Sequence, residues 1–258
     1  MIKAIFFDID GTLVSFKTHC ISPGVLDGLR RLREKGVKLF IATGRHRASI
    51  GIAADVFPFD GFVTINGQYC FAGGKVLRSC TIPQETVKEQ VALLEATGAP
   101  CLFLNETGNL YVNPGPRAEI FPNQLAFPLP APILPQQVLG QNIYQMTAFF
   151  TKEEEQAAGE RFFPGLEVMR WHPAFVDVIA PNGGKDRGID AILDHFGFDL
   201  SESMAFGDGE NDLPMLRHAG IGVAMGNADE LVKSQADYVA GSVDEDGILT
   251  ALLHFGLI

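Results

Sequence analysis

Apolar residues arrive along this chain in two rhythms that alternate at first and then stop alternating. Ile2–Phe7 is a short continuous apolar run and reads as a buried strand. The segment "ISPGVLDGLRRLREKG" places Val25, Leu26, Leu29 and Leu32 at helical spacing. Ser22 caps it, Pro23 follows in the first turn and Gly36 stops it. "VKLFIATGR" is a second strand, "HRASIGIAADVF" a predicted helix, and "DGFVTINGQ" contains a third strand. Strands this apolar, separated by helices, predict a parallel sheet covered on both faces. The same rhythm returns after residue 182. "KDRGIDAILDHFG" is a helix, "SMAFGDGEND" a strand and turn, "LPMLRHAG" a short helix, "IGVAMGNA" a strand, "DELVKSQA" a helix and "DYVAG" a short last strand.

Residues ~69 to ~182 break that rhythm. "YCFAGGKVLRSCTI" and "LFLNETGNLYVN" read as hairpins, and "YQMTAFF" and "FVDVIAP" as strands. Between Phe121 and Pro135, five prolines at 122, 128, 130, 132 and 135 predict an irregular connector. The expected fold class is α/β: a Rossmann-like doubly wound parallel sheet with an inserted α+β domain. The expected division is 1–82 with 183–258 as the core and 83–182 as the insert.

The bulk properties narrow the function. The chain has 258 residues, 47% hydrophobic and 20% charged, enough for a large core. Its net charge of −11 disfavours nucleic acid and anionic lipid as main partners. An anionic substrate then needs a local positive centre. Cys20, Cys70, Cys80 and Cys101 show no CxxC spacing and read as reduced thiols; a two-residue turn at Gly73-Gly74 would set Cys70 opposite Leu77, not Cys80. No signal peptide and no run near the ~20 apolar residues of a membrane span is visible, so a soluble cytoplasmic protein is expected, a monomer or small homo-oligomer.

The polar chemistry collects where the predicted strands end. They finish at Asp8, at Thr43-Gly44-Arg45, at Asn66-Gly67, at Gly207-Asp208-Gly209-Glu210-Asn211-Asp212 and at Met225-Gly226-Asn227. An open parallel sheet binds its ligands at these carboxyl ends. Asp8, Asp10, Asp208 and Asp212 brought together would repel, by about 4 kcal/mol for one close pair near a surface. A cation among them removes that conflict, and oxygen ligands alone favour Mg²⁺ over Zn²⁺. For Asp212, capping the helix that follows is a competing reading. Lys185, after a glycine pair, opens a predicted helix where the dipole is already positive, and a bound anion would resolve the mismatch. Arg187 reads as a surface residue, and His46 has no assigned role.

"DIDGTL", the Thr43 of "TGR", Lys185 and "GDGEND" together resemble, in order and spacing, the four signatures of the haloacid dehalogenase superfamily. "GVAMGNA", "VDEDGI" and the place of the insert are similar to the Cof-like sugar-phosphatase branch. Lys185 is followed by Asp186-Arg187 before Gly188, where many relatives show Lys-Gly directly. The resemblance implies Mg²⁺-dependent hydrolysis of a small phosphorylated metabolite through an aspartyl-phosphate on Asp8. Asp10, expected to be protonated, would be the acid and then the base. Asp8, Asp208 and the carbonyl of Asp10 would hold the metal. Thr43 and Lys185, with Gly44, would bind the phosphoryl group, Asp212 would orient Lys185 or a metal-bound water, and Asn211 would reach the phosphate or substrate. Specificity is expected from Arg170, Trp171 and His172 in the insert, whereas Asp177 reads as the exposed face of a strand. A phosphotransferase or mutase would share the aspartyl-phosphate. A non-catalytic phospho-acceptor would share the clustered acids but not the length or the insert.

Overall fold

The computed structural model describes residues 1–124, 128–158 and 163–258. The chain forms two compact units, Met1–Ser79 with Gly184–Ile258, and Cys80–Gly183. The first unit begins with β1 (Ala4–Phe7), β2 (Lys38–Ala42), β3 (Gly61–Thr64), β4 (Tyr69–Ala72) and β5 (Lys75–Ser79). The second contains β6 (Cys101–Leu104), β7 (Asn109–Val112), β8 (Pro132–Ile133), β9 (Gln145–Ala148), β10 (Glu167–His172) and β11 (Phe175–Ile179). The chain then completes the first unit with β12 (Ser203–Gly207), β13 (Ile221–Ala224) and β14 (Tyr238–Val239).

Among the described residues, the first sheet has the order β14-β13-β12-β1-β2-β3-β4-β5. It is parallel from β14 through β3 and antiparallel at β4 and β5. β1 is central, and this explains why its sequence does not alternate. Ile5, Phe7 and Ile9 enter one fully buried cluster, and Ala4 and Phe6 enter the cluster on the opposite face. Phe6 stacks on Phe40 at 4.9 Å and Phe7 on Phe206 at 5.2 Å between ring centroids. Burial of side chains of this size contributes about 1.5–3 kcal/mol each, so the end of β1 is held firmly. From β1 the chain runs to β2 and β3 on one side and returns as β12 and β13 on the other. The order therefore reverses between β1 and β12, the place where such sheets bind ligands.

Ser22 caps helix Pro23–Glu34 as its sequence predicts, its hydroxyl accepting from the Val25 N–H at 3.1 Å. Three local expectations change. "HRASIGIAADVF" yields only a 3₁₀ turn and the short helix Gly51–Ala54. The Gly73-Gly74 hairpin joins the first sheet, and a bulge sets Cys70 opposite Arg78 rather than Leu77. The proline-rich connector starts with helix Ile120–Gln124, because Pro122 falls in its first turn, where no intrahelical N–H is lost; β8 and a 3₁₀ turn at Pro135–Val138 follow further on.

The second unit builds a sheet in the order β10-β11-β9-β6-β7-β8. Helix Gln84–Thr97 sets Val87, Val91 and Leu94 into one core cluster with Phe103, Met146 and Val178. No helix among the described residues is long and apolar enough to cross a membrane.

Candidate active site

Asp8 follows the buried end of β1, and its own N–H donates to the Phe206 carbonyl at 3.0 Å. Gly207 ends β12 next to it, so Asp208 and Asp212 leave the sheet beside Asp8. Ligand oxygens of Asp8, Asp208 and Asp212 lie within 4.8 Å of one another. Lys185 reaches this group from the first turn of helix Lys185–Phe196. Its ammonium donates to Asp8 Oδ1 at 2.6 Å and to Asp212 Oδ1 at 2.5 Å, fully buried. The mismatch of a lysine at a helix N-terminus is thus answered by two carboxylates of the chain itself.

Each acid has a distinct set of donors. Asp212 Oδ2 accepts from the N–H groups of Asp208 and Gly209, both at 2.9 Å. It makes no side-chain cap to helix Leu213–His218, so it belongs to the cluster and the capping reading is set aside. Asp208 Oδ1 accepts from the Thr12 hydroxyl at 2.9 Å, and Oδ2 from the Asn227 amide at 3.1 Å. The same amide donates to the Gly11 carbonyl at 2.9 Å, and the Asn227 oxygen accepts from the Val243 N–H at 2.9 Å. Gly11 has φ +82°, and a Cβ there would lie 2.2 Å from Asp208 Oδ2. Only glycine lets the turn after β1 pass so close to that carboxylate.

Glycine also seats Lys185. Ile65, Asn66 and Gly67 all have positive φ, an uncommon run and a strained one at the β-branched Ile65. It turns the chain after β3 onto the loop before Lys185: the Asn66 carbonyl accepts from the Gly184 N–H at 3.2 Å. A Cβ on Gly67 would lie 1.9 Å from the Gly184 carbonyl oxygen.

Three carboxylates face one ammonium here, leaving a formal charge of −2 in a buried place. Burial raises the Asp8 carboxyl well above its ordinary value; Lys185 opposes this, while Asp212, Asp208 and Asp10 add to it. Burial likewise raises Asp208 to about 7, with Asp212 adding to the shift. Burial alone would lower Lys185, but Asp212 and Asp8 more than offset it and keep the ammonium charged. An ionised Asp8, expected from the sequence, therefore calls for positive charge beyond Lys185. A hard divalent cation fits this donor set in sign and in oxygen chemistry.

Asp10 stands apart from the cluster. The Arg45 guanidinium grips it with two bonds of 2.7 Å, Nε to Oδ2 and Nη2 to Oδ1. The sequence leads to a protonated Asp10 and does not foresee this cationic partner. Thr43, directly after β2, is buried, and its hydroxyl accepts from the Arg45 N–H at 3.1 Å. Gly44 lies against Asn66, whose amide oxygen accepts from Asn211 Nδ2 at 3.1 Å. Asn211 is thus joined to the β3 turn. His46 caps the 3₁₀ turn after β2 by accepting from the Ala48 N–H, and Arg187 is exposed beside Asp186 and Asp190.

The candidates in the second unit fare differently. Arg170 donates to the carbonyls of Phe150, His172, Pro173 and Phe175 and to Glu155. A register shift between Met169 and His172 interrupts the β10–β11 ladder, and Arg170 binds carbonyls beside it. These bonds make it an internal strut of the β10–β11 hairpin. His172 stacks on Phe175 at 4.8 Å and accepts from the Ala174 N–H, which ties it to the hairpin turn. Trp171 belongs to β10 by its backbone; its side chain lies outside the described residues. Asp177 is not exposed: it is 3% accessible and accepts from the Thr147 hydroxyl at 2.7 Å.

Sequence reasoning thus found the acids and the lysine but assigned nothing to Thr12, Arg45 or Asn227. All three sit beside a glycine near strand ends already marked by other residues, the signal that could have found them.

Comparison with known proteins gives the family of the chain. A family model of haloacid dehalogenase-like hydrolases matches residues 5–252. YkrA of Bacillus subtilis (strain 168) is 31% identical over 99% of this chain and 98% of its own. The solved structure of the haloacid dehalogenase subclass IIB sugar phosphatase BT4131 superposes with a TM-score of 0.92 at 46% identity, covering 99% of this chain and 100% of that one. The phosphatase BT1666 of Bacteroides thetaiotaomicron gives a TM-score of 0.92 at 36% identity, covering 100% and 96%. The likeness runs through the inserted unit as well as the sheet that carries the acids, and the chain belongs to the haloacid dehalogenase-like hydrolases, as a phosphatase of the Cof type.

Proposed function

We propose that the protein hydrolyses small phosphomonoesters, sugar phosphates first among them, in two steps through a phosphoryl group carried on Asp8. The observation that carries this reading is the buried Asp8–Lys185–Asp212 chain beside Asp208, at the point where the sheet order reverses. Such a cluster gives a rigid nucleophile, a fixed cation and a place for a metal. The sugar-phosphate class rests on likeness to BT4131.

Asp8 attacks phosphorus and splits one difficult hydrolysis into two easier displacements. Lys185 has three N–H donors, two of which go to Asp8 and Asp212, and the third serves a phosphoryl oxygen. The Thr43 hydroxyl accepts from Arg45, which leaves its own hydrogen for a second phosphoryl oxygen. Asp10 protonates the leaving oxygen and then takes a proton from the attacking water. Asp212 holds Lys185 in place. Asp8, Asp208 and the Asp10 carbonyl would hold Mg²⁺. That ion, when bound, neutralises charge on the transferring group and on the acids. Against the formal −2 of the cluster it would bring the site to neutrality, lifting the local repulsion that an anionic substrate meets in a chain of net charge −11.

A panel of phosphorylated metabolites, assayed for phosphate release with and without Mg²⁺, tests the reading. Hydrolysis of at least one sugar phosphate is expected with Mg²⁺, and none with Asp8→Asn. Release that requires an added acceptor alcohol would point instead to a phosphotransferase.

A further inference from the structure

We propose that Arg45 is a positioning residue, whose guanidinium fork fixes the side chain of Asp10 for proton transfer to the leaving oxygen. This inference rests on the acid–base role proposed for Asp10. The fork is itself anchored on several sides. Its Nη1 donates to the Ser49 carbonyl at 3.0 Å, its backbone N–H to the Thr43 hydroxyl at 3.1 Å, and its carbonyl accepts from Ile65 N–H at 3.0 Å. The Arg45 side chain is 15% accessible, whereas that of Asp10 is 31%. The anchored partner is thus the arginine, and the more exposed one is the acid that must meet a substrate.

A partly exposed ion pair contributes little to stability, with a median of about 0–1 kcal/mol, so folding alone is a poor reason for this geometry. Two parallel bonds do something a single contact cannot: they fix the plane of the carboxyl group as well as its distance. They also leave it chemically usable. Each carboxyl oxygen has two lone-pair sites, and the fork takes one on each, leaving an outer site for a proton. A lysine at 45 would supply the charge but not the fork.

An Asp8 oxygen bonds to phosphorus, the bond from phosphorus to the leaving oxygen breaks, and the proton of Asp10 passes to that oxygen. A water oxygen then bonds to phosphorus, the bond between Asp8 and phosphorus breaks, and a water proton returns to Asp10. Both transfers need the same outer carboxyl site to face the reacting oxygens.

The test is leaving-group dependence, read as kcat/KM, which reports on steps up to the first irreversible bond cleavage. A hexose phosphate loses a basic alkoxide and needs the proton; para-nitrophenyl phosphate loses a stable anion and does not. Wild type, Arg45→Met, Arg45→Lys and Asp10→Asn are compared on both. Arg45→Met is expected to lose about 10²-fold on the hexose phosphate, within the range for a general acid, and under about fivefold on the aryl ester. Added guanidinium ion should recover part of the hexose phosphate activity. Turnover of the aryl ester shows that the variant is folded. Should Arg45→Met fail to fold, Arg45→Lys carries the test, with a smaller loss of the same selectivity. Equal losses on both esters in the Arg45 variants, with Asp10→Asn selective, would overturn the positioning role alone. Equal losses in Asp10→Asn would remove the acid role and the inference with it.

Discussion

Binding of Mg²⁺ should expel protons, because burial makes Asp8 and Asp208 hold theirs more tightly than free carboxyls do. Burial raises Asp208 from an ordinary 3.8 to about 7. Between about pH 4 and 7 the folded chain therefore holds a proton that the unfolded chain has lost. From protein groups alone, stability falls as pH rises through that window, by up to about 4 kcal/mol for a shift of this size. A cation among the carboxylates reverses the preference, so its binding competes with this proton. From pH 8 to pH 6, a group titrating near 7 weakens the metal about tenfold, or about 1.4 kcal/mol. Asp8, raised in the same direction, adds to the effect. Calorimetric titration with MgCl₂ at pH 6, in two buffers of different ionisation enthalpy, counts the protons directly. About one per metal is expected from Asp208. Melting curves should show the gain from saturating Mg²⁺ shrinking by about 3–6 °C from pH 8 to pH 6. Release of no protons, with a gain equal at both pH values, would refute the claim that buried acids make the metal site.

Three substitutions probe separate parts of the account. Gly11→Ala forces a Cβ to 2.2 Å from Asp208 Oδ2 at φ +82°, so Mg²⁺ should bind at least about tenfold more weakly by calorimetry, about 1.4 kcal/mol. Lys185→Met removes the one ammonium between two buried carboxylates; urea unfolding should show a loss of about 3–5 kcal/mol, together with loss of phosphate release. Thr147→Val takes the hydroxyl from buried Asp177, and about 1–3 kcal/mol of stability in the second unit should go with it.

Much of the frame was legible because local pattern and tertiary role coincide. β1 is apolar without alternation because both of its faces are covered, and helix Lys185–Phe196 carries its buried stripe and its closing glycine in plain view. The acids at strand ends could be grouped because parallel strands bring their carboxyl ends together. Pairing was harder to read. Asp10 and Arg45 are 35 residues apart, and nothing in either segment says that their side chains converge. Arg170 looks from the sequence like a substrate ligand. Its actual partners are carbonyls beside an irregular stretch of the β10–β11 ladder, a break no periodicity shows. Asp177 alternates with valines as an exposed residue would, yet that face of the strand is also buried. Period two tells which residues share a face, not whether the face meets water.

The most direct measurement is to look for the phosphoryl group on Asp8. The protein is mixed with a radiophosphate-labelled sugar phosphate and Mg²⁺, quenched in acid within the first turnovers, digested and mapped. At most one phosphoryl group per chain is expected, stable to acid, released by hydroxylamine and confined to the peptide containing Asp8. Steady phosphate release with no label on that peptide, or a label that persists in Asp8→Asn, would contradict a phosphoryl group carried on Asp8.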